Sequence, residues 1–352
     1  MSEYSLNQKN WKNLEQFLKQ GVISKGFPGA NFALIFPNET HFLSVGNKQI
    51  IPAVEKNKLD TIWDIASLSK VVVTTSCILR LVEDGRISLN TKISEILTWF
   101  PLKEVSVKHC LNHSSGINSD IVGYKQMSYD EMMESLKTLV YHHEIDTKVF
   151  YSDVNFILLG LLIDQITESL ETYAHENIFN PLDMKDTGYN LKSFPIKRFA
   201  AYENTAERGV VRGVVHDGKA YKMGGVSGHA GVFSTIQDLS HFVTMVLNNG
   251  VYNGKQVLHP CSIELLKKGT TANLNEKRSV GWVISDDNYA LGDYYSEHTL
   301  FHTGFSGGSM LIDCDKGVGF ICLTNRVHPS RDNKAILTLR NKIHNLAYQC
   351  IE

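Results

Sequence analysis

The hydrophobic pattern at the start of the chain predicts a helix followed by two paired strands. Residues 9–22 carry apolar side chains three and four positions apart, which is the spacing of an amphipathic helix, with Gly21 as its stop signal. Two short apolar or alternating runs come next, at 29–36 and 41–45, separated by Pro-Asn-Glu-Thr. Such runs around a short polar turn predict a β-hairpin, so the N-terminal region begins a sheet.

The middle of the chain has a different period. From residue 89 to about 190 the pattern is mostly helical, with stretches such as 129–139 and 155–170 that are interrupted by Gly, Pro and Asn. We interpret this block as an all-helical insert within the rest of the fold.

Strand-like segments return towards the C-terminus. Residues 235–247 predict a helix capped by Thr235, and a helical tail runs from about 333 to 349. Between these two helices lie three apolar, strand-like segments, at 281–284, 309–312 and 317–324. Strands at both ends of the chain predict one mixed, mainly antiparallel sheet, flanked by helices and built from both termini.

The predicted architecture is of the α/β (α+β) class. A discontinuous α/β domain is expected from residues 1–85 and 235–352, and a mostly helical insert from 86–234. A cleft forms where two such domains meet, and small-molecule sites usually occupy such clefts. We therefore expect the functional site between the two domains.

Composition narrows the class of partner. Of the 352 residues, 43% are hydrophobic and 20% charged, which is typical of globular proteins. The formal net charge of −2 provides no bulk positive field for nucleic acid. The longest apolar run, 156–163, is too short to span a bilayer, and the first residues lack the apolar core of a secretory signal. These features predict a cytoplasmic protein, unless a leader was removed.

Neither a metal nor a cofactor is predicted. The 14 His residues include no His-Glu-x-x-His, and the 6 Cys residues are scattered without a Cys-x-x-Cys. No glycine-rich nucleotide-binding motif follows a predicted strand. The chemistry is therefore expected from the protein's own side chains.

The chain contains a single Ser-x-x-Lys, Ser67-Leu-Ser-Lys70, and an apolar run that favours a buried helix follows it. On such a helix Lys70 lies one turn beyond Ser67 on the same face, so its amine can reach the Ser67 hydroxyl. The helix N-terminus adds a positive dipole end and free N–H groups. The structural alternative is that Ser67 only caps the helix while Lys70 is solvated.

Two further segments supply groups that serine chemistry needs. Tyr151-Ser-Asp153 precedes an apolar helix of the insert, and His302-Thr303-Gly304 opens a glycine-rich segment near the C-terminus. A serine hydroxyl is a weak nucleophile, and a desolvated lysine, or a tyrosine beside a lysine, can act as its base. The three segments therefore make chemical sense together.

The order of these motifs resembles the serine β-lactamase and penicillin-binding-protein family, in particular its class C-like branch. The flanking phrases are similar as well: Trp63-Asp-Ile-Ala, Leu111-Asn-His-Ser-Ser-Gly, Gly228-His-Ala-Gly and Leu323-Thr-Asn-Arg. The resemblance covers nearly the whole chain. It implies a β-lactamase/transpeptidase-like fold with the active site in the cleft.

Carried over position by position, the resemblance implies an acyl-enzyme mechanism. Ser67 would be the nucleophile, and Lys70 and Tyr151 would share the general-base work. The backbone N–H groups of Ser67 and Phe305 would form the oxyanion hole, and His302 would be a further catalytic residue. The implied substrate is a small ester, amide or peptide, and no cofactor is implied.

Two residues depart from the lactamase pattern, and both bear on the substrate. His302 replaces the usual Lys of the third motif and is charged only part of the time near pH 7. Asp153 replaces the usual Asn of the second motif and, when ionised, only accepts hydrogen bonds. Asp153 is predicted either to bind substrate or to pair with Lys70 and hold it charged.

Further substrate contacts are predicted at Thr303 and Gly304. Arg326 and Arg331 are candidates to supply the anion-binding charge that His302 lacks, the alternative being solvated surface positions. We expect an esterase, a D-amino-acid peptidase or an amidase acting on cell-wall fragments. Two alternatives stay open: a catalytically weak relative that binds or senses cell-wall peptides, and a true β-lactamase.

Overall fold

The strands and helices are distributed along the whole chain. The structure is a computed structural model that describes residues 4–285 and 290–352. Within those residues the strands are β1 (Gly29–Ile35), β2 (Thr40–Gln49), β3 (Glu55–Lys56), β4 (Trp63–Asp64), β5 (Gly188–Tyr189), β6 (Ala201–Thr205), β7 (Gly209–Arg212), β8 (Val232–Ser234), β9 (Val251–Tyr252), β10 (Lys255–Gln256), β11 (Val283–Ile284), β12 (Thr299–Thr303), β13 (Ser309–Asp313) and β14 (Val318–Thr324).

The α-helices of the same residues include several short ones. They are α1 (Gln8–Ile23), α2 (Thr75–Glu83), α3 (Ile93–Ile96), α4 (Val107–Leu111), α5 (Tyr129–Leu136), α6 (Asp153–Thr167), α7 (Leu170–Ala174), α8 (Gly218–Lys222), α9 (Ile236–Leu247), α10 (Pro260–Lys267) and α11 (Ile336–Tyr348). π-Helical turns occur at Lys70–Thr74 and His175–Phe179, and 3₁₀ turns at Tyr124–Gln126 and Ile196–Arg198. In the described part of the chain, none of the helices is long and apolar enough to cross a membrane.

Seven strands form the central sheet, in the order β11-β12-β13-β14-β1-β2-β3. β1 lies between β2 and β14, so that Phe32 is opposite Leu43 on one side and Cys322 on the other. Every pairing in the described part of this sheet is antiparallel. The predicted hairpin is confirmed, and so is the sheet built from both chain ends.

The alternation along β1 serves two hydrophobic cores. Phe32 and Leu34 belong to the core under α1 and α11, whereas Ala33 and Ile35 belong to the larger core on the opposite face. Successive side chains of a strand point to opposite faces, so an apolar strand is explained by burial on both sides. α9 packs on the second face, and Thr235 caps it by accepting the Asp238 N–H, as the sequence predicts.

The middle segment is less uniformly helical than its pattern predicts. α3 to α7 lie there, but so do β5 to β8, which are strands of two to five residues. β4, β8 and β5 form a small sheet, and β6 pairs with β7. Only β5 falls within the block 89–190 that its pattern predicts to be all-helical, and β6 to β8 lie in the rest of the mostly helical insert 86–234. Strands this short carry too few residues for their period to be recognised. The domain boundaries stay a prediction.

Candidate active site

Ser67 lies in the turn between β4 and the helix that carries Lys70. Ala66, the residue before it, has a φ of +48°, a left-handed conformation that is uncommon for a residue with a side chain. Asp64 supports this turn, since its Oδ1 accepts the Ala66 N–H at 2.8 Å. Lys70 then begins the π-helical turn, a feature frequent at functional sites. The turn presents Ser67 to a cavity.

The amino group of Lys70 is fully engaged. Its Nζ donates to Ser67 Oγ at 3.0 Å, to Asp153 Oδ1 at 2.8 Å and to the carbonyl oxygen of His229 at 2.9 Å. A protonated lysine has three N–H donors, so this arrangement fits an ammonium group without a lone pair for the serine proton. Burial lowers the pKa of Lys70, but the Asp153 carboxylate and Tyr151 outweigh burial and raise it. Lys70 is therefore held charged.

Tyr151 stands one residue before the N-cap of α6. Ser152 caps that helix, which places Tyr151 and Asp153 on either side of the helix start. The Tyr151 ring packs on the ring of His113 with centroids 4.6 Å apart, and Lys70 Nζ lies 5.1 Å from its centre. The side chain is 37% exposed and lines the cavity. A phenol between a cation and the cavity is placed to exchange a proton with a bound group.

Two cavity-lining residues have free backbone N–H groups. They are Ser67 and Phe305, and neither N–H has an acceptor within 4–285 and 290–352. Gly304 allows the end of β12 to approach the serine turn, because a Cβ at this position would lie 2.7 Å from the carbonyl oxygen of Ile65. Unpaired N–H donors beside a nucleophile are what an oxyanion hole requires.

His302 is a buried residue of β12 that also lines the cavity. Its Nδ1 donates to the carbonyl oxygen of Thr303 at 3.0 Å, because that oxygen can only accept. Nε2 is then an acceptor, and it has no partner among the described residues. Burial, reinforced by Arg278 and Lys70, holds the pKa of His302 well below its usual range. His302 is therefore neutral at pH 7 and cannot replace the cation of the lactamase pattern.

The cavity, of about 680 Å³, contains a different cation, which the sequence analysis did not identify. Arg278 is buried and pairs with Glu276 through Nη2, yet its Nε and Nη1 have no hydrogen-bond partner in the described parts of the chain. Its guanidinium lies 5.7 Å from the centre of the Tyr151 ring. Leaving buried donors without an acceptor is costly, so Arg278 is placed to bind an anionic group in the cavity.

The two arginines predicted to bind an anion already have partners in the protein. Arg331 binds Glu203 in a bidentate ion pair, with Nη2 2.7 Å from Oε2. Arg326 donates to the carbonyl oxygens of Phe305 and Asn333 at 2.9 and 2.8 Å. Both guanidinium groups lie against the Phe305 ring, 5.6 and 4.7 Å from its centre. They line the cavity, but they mainly hold the Phe305 segment in place.

The structure brings most of the predicted site residues to this one cavity: Ser67, Tyr151, His302, Thr303, Gly304, Phe305, Arg326 and Arg331. Lys70 and Asp153 lie behind them and are not among the described residues that line it. Asp153 contacts two lysines, which fits the alternative that it holds Lys70 charged rather than the prediction that it binds substrate.

One group of side chains in the described residues is compact enough for a metal ion. The ligand atoms of Asp153, Asp217 and His229 lie within 4.8 Å of one another. Lysines already neutralise these carboxylates, since Asp153 contacts Lys70 at 2.8 Å and Lys219 at 3.2 Å. A cation bound there would face two ammonium groups, so the donor set fits ion pairs better than a metal.

Three residues of this site escaped sequence reasoning: Arg278, Lys219 and His113. Arg278 and Lys219 are single cations in stretches without a motif, so only the folded contacts reveal them. His113 belongs to the flanking phrase Leu111-Asn-His-Ser-Ser-Gly, and that phrase was a usable signal. His229 lies in a turn, as predicted, but its carbonyl oxygen also binds Lys70.

Comparison with known families agrees with the motifs. The Beta-lactamase family model matches residues 14–344. The chain belongs to the β-lactamase family. This membership confirms the resemblance carried by Ser-x-x-Lys, Tyr-Ser-Asp and His-Thr-Gly, and it makes the chain a serine hydrolase of the β-lactamase/transpeptidase fold.

Two relatives of this β-lactamase-family chain are named as enzymes. An N-acetylmuramyl-L-alanine amidase of Bacillus subtilis is 28% identical over 364 residues, covering 91% of this chain and 82% of that protein. A putative D-alanyl-D-alanine carboxypeptidase of Escherichia coli is 27% identical over 367 residues, covering 92% of this chain and 83% of that one. These names are consistent with serine hydrolase activity.

A solved structure shows the same fold at lower identity. Simvastatin synthase from Aspergillus terreus superimposes with a TM-score of 0.77 and 18% identity, over 97% of this chain and 98% of that one. At this identity the likeness concerns the fold alone.

Proposed function

We propose that this hydrolase cleaves an amide or ester bond close to a carboxylate of its substrate, through an acyl-enzyme on Ser67. The observation that carries the proposal is the 3.0 Å contact of Lys70 Nζ with Ser67 Oγ, beside the free N–H groups of Ser67 and Phe305. The relatives named as an amidase and a carboxypeptidase support a peptide or other amide substrate of the cell-wall type.

In this proposal Tyr151 is the base, because Lys70 has no free lone pair. For this role Tyr151 first releases its own proton to solvent, and the Lys70 ammonium, 5.1 Å from the centre of the ring, compensates the charge left on the phenol oxygen. As Ser67 Oγ forms its bond to the substrate carbonyl carbon, the hydroxyl proton passes to Tyr151. The carbonyl oxygen becomes an oxyanion that accepts from the N–H groups of Ser67 and Phe305, each donor contributing about 3 kcal/mol.

The second half of the reaction reverses these roles. The C–N or C–O bond breaks, and the leaving amine or alcohol takes the proton from Tyr151, which leaves an ester on Ser67. A water molecule then adds to the ester carbonyl while its proton passes to Tyr151. The ester bond breaks, Ser67 regains the proton, and the product acid is released.

Arg278 determines the proposed substrate class. Arg278 pairs with Glu276 through Nη2 alone, and its Nε and Nη1 have no partner within the described residues, whereas Glu203 binds Arg331 through both Nε and Nη2. A guanidinium binds carboxylates through planar, charge-assisted hydrogen bonds. A D-amino-acid-terminated peptide or a muramyl peptide carries such a carboxylate near the scissile bond.

The first test is covalent labelling. We expect a fluorophosphonate probe to attach to the wild type at Ser67, as read by peptide mass spectrometry, and to fail on Ser67→Ala. Ser88→Ala, which changes an exposed serine, is the matched control and keeps full labelling. Absence of labelling in the wild type would contradict an acyl-enzyme mechanism. A panel of D-Ala-terminated peptides, muramyl peptides, esters and β-lactams then identifies the preferred substrate.

The fully engaged Lys70 ammonium also favours a second candidate, a catalytically weak protein that binds or senses cell-wall peptides. Ser67→Ala separates the two: a hydrolase loses turnover of p-nitrophenyl acetate, whereas a sensor shows none in the wild type and keeps its peptide affinity. Turnover of nitrocefin at the rate of the best peptide would instead support a true β-lactamase. The cytoplasmic location stays a prediction, which cell fractionation tests.

A further inference from the structure

A chain of ion pairs continues behind Lys70, outside the lining of the cavity. Asp153 accepts from Lys70 through Oδ1 at 2.8 Å and pairs with Lys219 through Oδ2 at 3.2 Å. Lys219 in turn lies 2.9 Å from Asp120 and 3.6 Å from Asp217. Asp153 therefore stands between two lysines, of which Lys70 alone contacts Ser67.

Lys219 is a buried cation with no contact to the proposed nucleophile or base. Its side chain is 4% exposed and belongs to the short helix α8, which Asp217 caps by accepting the N–H groups of Lys219 and Ala220. Burial lowers the pKa of Lys219, but Asp217, Asp153 and Asp120 outweigh burial and raise it. Lys219 is thus a fixed positive charge one carboxylate away from the Ser67 contact.

The potential at the reacting atoms depends on every charge packed around Lys70. The titratable and charged groups around Lys70, Tyr151 and Lys219 include nine further residues: Asp153, His113, Asp120, Tyr124, Asp217, His229, Arg278, His302 and Glu276. In this set Asp153 is the carboxylate in direct contact with Lys70, and Lys219 is the cation that offsets it from the far side.

We propose that Lys219 is a positioning residue of the active site: by sharing Asp153 with Lys70, it keeps the Lys70 ammonium directed at Ser67 and keeps the potential around Tyr151 positive enough for Tyr151 to act as the base. The inference rests on the proposed function. Lys219, to which it gives this positioning role, belongs to none of the three sequence motifs.

The direction in which the pH–rate profile moves follows from the positive charge that is removed with Lys219. Removing Lys219 leaves Asp153, Asp217 and Asp120 with one cation fewer, so the site becomes more negative. A more negative site disfavours an anionic base, so the acid limb of the pH–rate profile, where the rate falls at low pH, moves to higher pH. A unit charge at this range in a partly buried site shifts the limb by about one pH unit.

The experiment measures, for the full chain from pH 5 to 10, the rate at which a fluorophosphonate phosphonylates Ser67 with release of fluoride. We expect Lys219→Met to move the midpoint of the acid limb up by about one pH unit and to regain the wild-type rate within about threefold on the alkaline plateau. Lys219→Arg restores the wild-type limb. Lys222→Met, which removes a lysine from the same helix that contacts Met127 instead, leaves the limb unchanged.

A second variant has the opposite sign and a smaller risk of misfolding. Asp120→Asn removes the half-exposed carboxylate that competes for Lys219, so more of the positive charge acts on Asp153. We expect the acid limb to move down by about half a pH unit.

A uniform loss of rate across pH in Lys219→Met, or an upward shift in Asp120→Asn, would overturn the inference. If Lys219→Met does not fold, Asp120→Asn alone decides. Failure of the proposed function looks different, since the wild type itself would then not be phosphonylated at any pH, and the inference would fall with it. Labelling of the wild type with an unmoved limb in both variants contradicts the role of Lys219 alone.

Discussion

Two groups of polar side chains flank Tyr151, and they use their hydrogen-bonding capacity differently. In the inner network, the polar side chains bind one another: Lys70, Asp153, Lys219, Asp217 and His229. In the second group, which we term the open group, buried nitrogen atoms have no partner among the described residues: Nε and Nη1 of Arg278, Nε2 of His302 and Nε2 of His113. Lys70 links the two groups, since Asp153 contacts its ammonium and its charge also lowers the pKa values of His302 and His113.

The inner network suits proton transfer, whereas the open group suits ligand binding. Buried charges that are fully paired are held in one geometry, which suits a network that must keep Lys70 and Ser67 aligned. Buried donors without partners are costly, and a ligand that satisfies them gains this free energy on binding. His113 accepts the Ser152 N–H through Nδ1, so its Nε2 carries a proton. Of the open group, Arg278 and His302 line the cavity, and the donors of Arg278 beside the acceptor of His302 suit a carboxylate next to an N–H group.

The largest effect is expected on the acylation rate when Tyr151, which lies between the two groups, is changed. Tyr151→Phe removes the phenol oxygen but keeps the ring on His113, so the fold is retained. We expect the acylation rate to fall by about 10²–10⁴-fold, the usual range for loss of a general base. Stopped-flow acylation measures it, with Tyr129→Phe, an exposed tyrosine, as the control. An unchanged rate would transfer the base role to Lys70 and remove the distinction between the two groups.

A smaller, substrate-dependent effect is expected in the open group. Arg278→Gln removes the guanidinium whose Nε and Nη1 have no partner in the described residues, and we expect KM to rise by about 10–100-fold for a carboxylate-bearing peptide, with little change in kcat. The same peptide as its terminal amide should be unaffected. Arg86→Gln, at an exposed position outside the lining of the cavity, is the matched control. Equal losses for acid and amide substrates would show that Arg278 does not bind the carboxylate.

The smallest effect is on the free energy of unfolding. Histidines of the open group and carboxylates of the inner network are expected to lower it in different pH ranges. Burial holds the pKa values of His302 and His113 well below the unfolded value of 6.5, so their unfolded forms bind protons first and stability falls as pH drops below 6.5. The carboxylates of Asp153 and Asp217 have lowered pKa values, and their contribution is lost only below about pH 4.

Urea unfolding checks this order of events. Between pH 7.5 and 5.5 we expect each buried histidine to cost about 1 kcal/mol of the free energy of unfolding. His302→Gln should reduce the loss by that amount, whereas His142→Gln, at an exposed position, should leave it unchanged. A wild-type free energy that is constant down to pH 5 would mean that these histidines are not held neutral by burial.

The sequence predicts the motif residues and the fold better than it predicts the charged residues that surround the motifs. Ser67, Lys70 and Tyr151 belong to short motifs with fixed local geometry, so their spacing carries information about contact. The hairpin of β1 and β2 was likewise readable, because both strands carry a clear pattern. Arg278 and Lys219 come together with these motifs only through tertiary packing, and no local period marks them.

The same reasoning explains the incorrect parts of the fold prediction. β5 and β8 are two and three residues long, and they exist because each pairs across the small sheet that also holds β4 beside Ser67. Partners distant in sequence, rather than local propensity, determine such strands. Arg326 and Arg331 were sensible candidates by charge, but their pairing with backbone carbonyls and Glu203 depends on contacts that only the folded chain contains.

The free N–H groups of Ser67 and Phe305 have a consequence for how substrate preference can change. Both donors belong to the main chain, and Gly304 sets their approach by having no side chain. Arg278, in contrast, projects from a loop between α10 and β11. Exchange of that loop would redirect the enzyme to a substrate of different charge while the bond-breaking apparatus stays intact, so this region is the natural place to begin engineering a new specificity.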